Sequence, residues 1–392
     1  MTHTRRAVLG VLAGATARPQ RAPGAALLAA GASAQPKKTF RLSRPYEKVL
    51  ASPLVPDVTQ YDVIARGPDR VQKELGKRVP VGWCDRHGIA GSPSAMYDAA
   101  TGEFWLTYRA AADGPRICEL HIAKSRDGKK FTDVKVWNIT NERSCLMKDP
   151  RSGKFKLYFC TTQSFGLGGR KLEPPVPVGR GGGGDNWWVI CKLDDVDSPE
   201  NFQLETARIV LQPTPSGADW FYAKDPYVVA VGNRFYLYYI GRGRYEQCCL
   251  ATSLDGEKWV QHPTNPVLGQ GGWHDFYTRP GCIVPAGNVF LFYYEGSNRE
   301  WVAPVYSIAT GLAITFDLEH LIDITPDAPI LKSPTPGQTP WGGGLNFTLR
   351  YMDAVLLDDR LLYYYEAASQ EGCNELRVTE VALDTGAAKP KA

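Results

Sequence analysis

No stretch of the 392-residue chain approaches the run of about 18 apolar residues that a membrane-spanning helix needs. There is no C-x-x-C pair among the nine cysteines, no H-E-x-x-H metal spacing, and no glycine-rich loop ending in Lys-Ser/Thr to cradle phosphates. Lysines and arginines do not cluster, and the net charge of +4 is misleading. Residues 1–34 hold Arg5, Arg6, Arg18 and Arg21 and no acid, so they account for all of it. A neutral remainder lacks the electrostatic footprint of a nucleic-acid binder. Charged residues make up 22% and apolar residues 43%, which excludes a disordered chain. Gly 39 and Pro 29 follow no G-x-y period, which excludes collagen and suits many short strands joined by turns.

What is present begins with a targeting segment. Arg5-Arg6 precede a small-residue apolar stretch, and a second stretch ends in Ala32-Ser33-Ala34, an A-x-A-like cleavage site. This resembles a bacterial twin-arginine export signal, interrupted by Arg18-Pro19-Gln20-Arg21. The expected organisation is a signal over 1–34, an extension over 35–74 and one domain over 75–388, periplasmic or secreted. Such export follows folding in a reducing cytoplasm. With an odd cysteine count and most thiols inside strand-like runs (Cys145, Cys160, Cys191, Cys282), buried free thiols are expected in place of a disulfide framework.

One phrase, a Gly- or Asp-containing turn followed by an aromatic strand, recurs five times. The copies are TGEFWLTYR (101–109), SGKFKLYFC (152–160), GNRFYLYYIGR (232–242), GNVFLFYYEG (287–296) and DDRLLYYYE (358–366). A short apolar strand precedes each: SAMYDAA, SCLMKDP, DPYVVAV, GCIVPA and MDAVLL. A third follows: CELHIAKS, WWVICKL, CCLATS, VYSIATG and LRVTEVAL. FTDVKVW, FQLETARIVL and KWVQH are candidate fourth strands. Lengths and alternation mark strands, not helices. Five such units predict an all-β five-bladed β-propeller with roughly four antiparallel strands per blade. SRDGKKF (125–131) and SLDGEKW (253–259) read as structural hairpin turns.

AKDPYVVAVGNRFYLYYIGRG, followed by CLATSLDGEKWVQHPTNPVL, resembles a blade of the five-bladed propeller glycosidases of glycoside hydrolase families 43, 32, 62, 68 and 130. The resemblance runs through roughly residues 75–385. It implies an exported glycoside hydrolase whose funnel carboxylates cleave an oligo- or polysaccharide. Asp225 matches the family's Asp-Pro motif, with Lys224 where an acid is usual. Glu142-Arg143-Ser144 stands where Arg-Asp-Pro is usual, and Ser92-Pro93-Ser94 where another Asp-Pro is expected. These departures keep open a non-catalytic carbohydrate-binding propeller as the alternative.

The repeat also pairs Trp83-Cys84-Asp85 with Trp273-His274-Asp275, a W-x-D phrase ahead of two first strands. Glu295 and Glu366 end second strands, where burial can raise a carboxyl pKa. The catalytic candidates are Asp85 or Asp225 as base or nucleophile, Asp275 or Glu295 as acid, and Glu142 tuning or binding. Substrate-binding candidates are Trp83, His87, Arg143, Trp220, Trp273, His274, Arg279, Arg350, Asp353 and Glu366. The loop Leu172–Asn186 (LEPPVPVGRGGGGDN) reads as a mobile insertion or a lid. The expected partner is a carbohydrate, with no nucleic acid and no membrane once the signal is cleaved. No cofactor and no transition metal are expected; a bound Ca²⁺ and the oligomeric state stay open.

Overall fold

The computed structural model describes residues 54–69, 84, 87–112, 118–162, 167, 172, 188–302, 305–338 and 344–383. Trp83, Asp85, the signal region and all but the first residue of the 172–186 loop lie outside them. The described chain is all-β apart from single helical turns. β1 spans Asp62–Ala65. β2 (Ile89–Asp98), β3 (Glu103–Ala111), β4 (Cys118–Ser125) and β5 (Thr132–Ile139) form one antiparallel sheet in chain order. β6 (Ser144–Lys148), β7 (Phe155–Thr162), β8 (Trp188–Lys192) and β9 (Arg208–Leu211) form a second.

β10 (Tyr222–Val231), β11 (Arg234–Arg242), β12 (Glu246–Ser253) and β13 (Val260–Gln261) make an antiparallel group. β14 (Tyr277–Ala286), β15 (Val289–Ser297), β16 (Ala309–Thr315) and β17 (Ile322–Asp323) make another, joined to the former at one parallel pair, Glu246 with Tyr277. β18 (Gly337–Gln338) and β19 (Leu345–Asn346) form a small ribbon. β20 (Leu349–Leu356), β21 (Arg360–Ala368) and β22 (Asn374–Ala382) follow, with β1 as their fourth strand beside β22. The segment read as an extension thus completes the sheet built by the C-terminal end. The first strands touch in succession: β2 with β6, β6 with β10, β10 with β14, β14 with β20, and β20 with β2.

The five aromatic phrases are β3, β7, β11, β15 and β21, the second strands. β7 is buried at every residue and β21 at all but its first. Both faces of such a strand meet neighbouring sheets, which is why it is mostly apolar and does not alternate, its buried charges Lys156 and Glu366 each being paired. Each fully buried Phe or Leu there contributes about 1.5–3 kcal/mol. Tyrosine adds a hydroxyl that must find a partner. Tyr364 Oη donates to Gly128 O at 2.8 Å and Tyr158 Oη to Gly256 O at 2.9 Å, each reaching the turn of an adjacent sheet.

Those turns are the two S-x-D-G phrases. Gly128 N and Gly256 N donate to Ser125 Oγ and Ser253 Oγ, with the glycines at φ +76° and +74°. Asp127 and Asp255 accept the next two amides. The structure adds a third copy at Thr315–His320. There Leu318 adopts φ +66° in the glycine's place, and Tyr238 Oη donates to its carbonyl. With no glycine to mark it, this turn is invisible in the sequence. It also shifts the third strand of its group. VYSIATG (305–311) was expected, but β16 runs Ala309–Thr315, because Thr315 must end the strand to cap the turn and Tyr306 bends the chain at φ +55°.

The cysteine expectation needs one correction. Seven thiols are free and buried, but Cys84, just before β2, is disulfide-bonded to Cys373, just before β22. Sequence spacing could not show it, because 289 residues separate the pair. The bond joins the start of the first sheet to the last. Among the described residues no helix is long and apolar enough to cross a membrane.

A cross-link closing so long a loop restricts the unfolded chain, so Cys84→Ser with Cys373→Ser is expected to cost about 2–5 kcal/mol. Thermal melts with and without reductant test this. Reductant should lower the wild-type transition to that of the double variant, and an unchanged wild-type transition would contradict it.

Candidate active site

Three of the first strands carry a backbone feature that projects polar groups inward. Ser92 in β2, Asp225 in β10 and Tyr351 in β20 have φ of +54°, +55° and +52°. At each the ladder shifts register, between Gly91 and Ser94, Lys224 and Tyr227, and Arg350 and Asp353. β14 bulges at the matching place, between Pro280 and Cys282. A bulge re-aims side chains and leaves backbone groups unpaired. Arg143 takes up several of these. Its guanidinium, wholly buried, donates to Pro280 O at 3.2 Å, Gly281 O at 3.0 Å and Met352 O at 3.1 Å.

Around these bulges lies a buried network of charges. Lys224 Nζ is 2.5 Å from Glu142 Oε2, 3.4 Å from Glu246 Oε1 and 4.0 Å from Asp225 Oδ2. Glu246 also accepts from Tyr222 Oη and pairs with Arg279. Arg279 reaches Glu295 at 3.7 Å and donates to Tyr306 Oη at 2.7 Å. Asp225 accepts from Arg143 N at 3.1 Å, Cys160 Sγ at 3.2 Å and Tyr351 Oη at 3.1 Å. The same Tyr351 hydroxyl lies 3.5 Å from Glu142 Oε2, so one phenol and one ammonium serve two carboxylates.

The network displaces these carboxyls in opposite directions. Burial pushes Glu142 upward, but the charge of Lys224 and then Arg109 outweighs it and holds it below its ordinary range. Burial raises Asp225, the negative charge of Glu142 adds to that, and Lys224 only partly opposes it. Against burial, Arg279 and Lys224 hold Glu246 at about 2. Burial keeps Glu295 raised despite Arg279 and Arg143, and keeps Asp353 raised despite Arg143. Glu366 is lowered, because Arg350 and Arg109 overcome its burial. Arg350 donates to it through Nε at 2.9 Å and Nη2 at 2.7 Å, and Asn374 donates at 2.9 Å. Gly91 leaves room for it, since a Cβ there would lie 2.1 Å from Glu366 Oε2.

Glu142, Arg143, Asp225, Arg279, Glu295, Arg350, Asp353 and Glu366, read as site candidates from sequence, are thus connected directly or through one another. Asp353 meets Arg143 electrostatically and accepts from Ala95 N at 2.8 Å. The other candidates sit elsewhere. Asp275 is exposed ahead of β14 and makes no contact in this network among the described residues. Trp273 is buried, donates to Thr325 O at 2.7 Å and stacks on Tyr294. His274 is buried between Thr278 and Asp323. Trp220 is exposed against Phe221, and His87 pairs with Asp69 at 2.8 Å.

Sequence reading missed Tyr351, Glu246, Tyr222 and Cys160. Aligning the bulges would have found Tyr351, which occupies the place of Asp225 and Ser92. Glu246 opens a third strand opposite Arg242, a position the repeat did not single out. As for metals, the donor atoms of Cys84, Glu371 and Cys373 gather within 4.8 Å, but the two sulfurs are bonded to each other and are not thiolate ligands.

No family model matches the sequence, and no curated protein matches it. Solved structures do match the folded chain. A glycoside hydrolase superposes with TM-score 0.52 at 12% identity, covering 90% of this chain and 98% of its own. The β-1,2-mannobiose phosphorylase of Listeria innocua gives 0.50 at 13%, covering 76% and 90%. The α-L-arabinofuranosidase of Lactobacillus brevis gives 0.50 at 12%, covering 74% and 90%. At such identities the likeness is one of fold. The resemblance to propeller-type glycosidases seen in the strand phrases therefore holds for the folded chain as well.

The pKa directions give opposite signs for two variants. Glu366, lowered in the fold, stabilises above the ordinary glutamate range and loses that contribution as pH falls through its own pKa. Asp225, raised in the fold, carries no penalty below the ordinary aspartate range and gains one as pH rises through its own pKa. Glu366→Gln is expected to cost about 3–5 kcal/mol at neutral pH, where it leaves two buried arginines short of charge, and less in acid. Asp225→Asn is expected to show the opposite trend, its stability relative to wild type improving as pH rises above the ordinary aspartate range. Melting curves from pH about 3 to 8 decide this, and a large loss for Asp225→Asn with none for Glu366→Gln would contradict it.

Proposed function

We propose that this chain is an exported enzyme of the glycosidase type, acting on a carbohydrate at the axis of a five-bladed β-propeller. The ring of contacts among β2, β6, β10, β14 and β20 supports the propeller. β1 would complete the fifth blade beside β22, and the disulfide would fasten the seam. Arg5-Arg6 and Ala32-Ser33-Ala34 support export. A disulfide is also at home in an oxidising compartment.

The observation that carries the enzymatic reading is that Glu142, just ahead of β6, and Asp225, on the β10 bulge, share the Tyr351 hydroxyl and the Lys224 ammonium, with Glu142 pushed down and Asp225 pushed up. Pairs whose environments drive their pKa values apart take opposite acid and base roles. Glycoside cleavage needs a carboxyl to protonate the departing oxygen and a carboxylate to activate water or attack the anomeric carbon. Glu142 fits the second role, being ionised and, at 16% side-chain exposure, the most open carboxylate of the network. Asp225, 1% exposed and raised by its burial, fits the first, with the Tyr351 hydroxyl donating to it at 3.1 Å. Glu295, also raised, and Asp85 and Asp275, ahead of β2 and β14, are the further acids proposed. Arg109 and Arg350, fixed on Glu366, would bind substrate hydroxyls beside this pair.

A non-catalytic carbohydrate-binding propeller is the second reading. It is favoured by Lys224, which neutralises Glu142 where the resembled enzymes carry an acid, and by Ser92 and Ser144 in place of carboxylates.

The test is product release from arabinans, xylans, fructans and mannosides by the mature chain, with and without inorganic phosphate. Glu142→Gln is expected to lower release about 10²- to 10⁴-fold even under conditions where its melting curve shows it folded, since it also leaves buried Lys224 short of a partner and lowers the melting temperature. A sugar phosphate formed only with phosphate would make the transfer phosphorolytic. Full activity of both Glu142→Gln and Asp225→Asn would contradict the assignment, and binding without turnover would select the second reading.

A further inference from the structure

A cavity of about 300 Å³ opens between the N-terminal strand and the turn joining β21 to β22, away from the charge network. Its wall includes Tyr61, Arg66, His87, Gln370, Glu371 and Arg377. Arg377 is wholly buried and fixed by Glu375 at 2.9 Å and Thr335 at 2.7 Å, and its guanidinium lies 4.0 Å from the Tyr61 ring centroid. Its Nη1 is nevertheless buried without a hydrogen-bond partner, a costly state for a charged donor. Glu375 also accepts from Arg66 Nε at 3.1 Å, which leaves the rest of that two-thirds-exposed guanidinium for a ligand. The side chains of Tyr61 and Gln370 make no hydrogen bond among the described residues.

We propose that this cavity is a second carbohydrate subsite, holding one uncharged sugar residue. The inference rests on the carbohydrate class proposed above. Three features select that chemistry. Arg66 and Arg377, both on Glu375, share the wall with Glu371, so the two positive charges are matched by two negative ones and leave no net charge to attract a phosphate or a carboxylate. Planar guanidinium, amide and carboxylate groups around a tyrosine ring match the adjacent hydroxyls and the apolar face of a pyranose or furanose. The volume lies at the lower end for ligand sites, which suits one monosaccharide. The position relates it to the axis. Asn374 lines the cavity and also donates to Glu366 in the central network, so a sugar chain leaving the axis over the first and last sheets meets this cavity next.

The test is calorimetric titration of the full wild-type chain with mannose, xylose, arabinose and fructose, repeated on Tyr61→Phe, Gln370→Ala and Glu142→Gln. At least one sugar is expected to bind the wild type and Glu142→Gln equally. Each of the other two variants should bind it about tenfold more weakly, the loss of one net hydrogen bond. Loss of binding in Glu142→Gln alone would place the sugar at the axis and overturn the subsite while leaving the proposed function intact. Binding of none of the four would overturn it also. Weakened binding in Gln370→Ala from a chain that releases no product would uphold the subsite and sink the glycosidase reading.

Discussion

Charge buried at the meeting point of the first strands is the constraint on which the rest of the structure depends. An isolated carboxylate in a dry interior costs several kcal/mol, and only close cations or neutralisation offset that. Here both solutions operate side by side. Glu246 and Glu366 stay ionised against Arg279, Lys224, Arg350 and Arg109, whereas Asp225, Glu295 and Asp353 are raised toward the neutral form. Arg143 ties three backbone carbonyls of two bulges together and supplies the positive charge those raised carboxyls share. The left-handed residues in β2, β10 and β20 sit at the bulges beside this network, and two of them, Asp225 and Tyr351, are members of it.

The same economy governs the outer layers. Tyrosines of three second strands pass hydroxyls to the turns of neighbouring strand groups, at Gly128, Gly256 and Leu318. The seam between the first and last sheets has two further fastenings, the β1–β22 pairing and the Cys84–Cys373 bond. The cavity walled by Tyr61, Arg66 and Arg377 lies where those fastenings meet, so it exists only when the two ends of the chain are held together.

Much of this was legible in the sequence. The fivefold aromatic phrase located every second strand, because a strand buried on both faces is dominated by apolar and aromatic residues and admits charges such as Glu295 and Glu366 only near its ends. Glu295 and Glu366 were singled out from their places in that repeat, and Asp225 and Glu142 from the resemblance to the propeller glycosidases; the structure brings all four into the charge network. What escaped was what the repeat does not encode. Tyr351 is chemically unlike Asp225 and Ser92, yet shares their left-handed backbone. Leu318 stands where two sister turns carry glycine. Trp273 and His274 have the residue types of a sugar platform, but three-dimensional packing gives them Thr325, Tyr294 and Asp323 as partners. The disulfide joins residues 289 apart, beyond the reach of any spacing rule.

The central claim is that the network drives the pKa values of Glu142 and Asp225 in opposite directions around one shared phenol. Carbon-13 NMR of side-chain carboxyls in protein labelled at Asp and Glu, with Glu142→Gln and Asp225→Asn to assign the two signals, measures this directly. Glu142 should stay ionised to a pH below the ordinary glutamate range, while Asp225 keeps its proton above the pH at which exposed aspartates have lost theirs. Two carboxyls titrating together within the ordinary range would contradict the account.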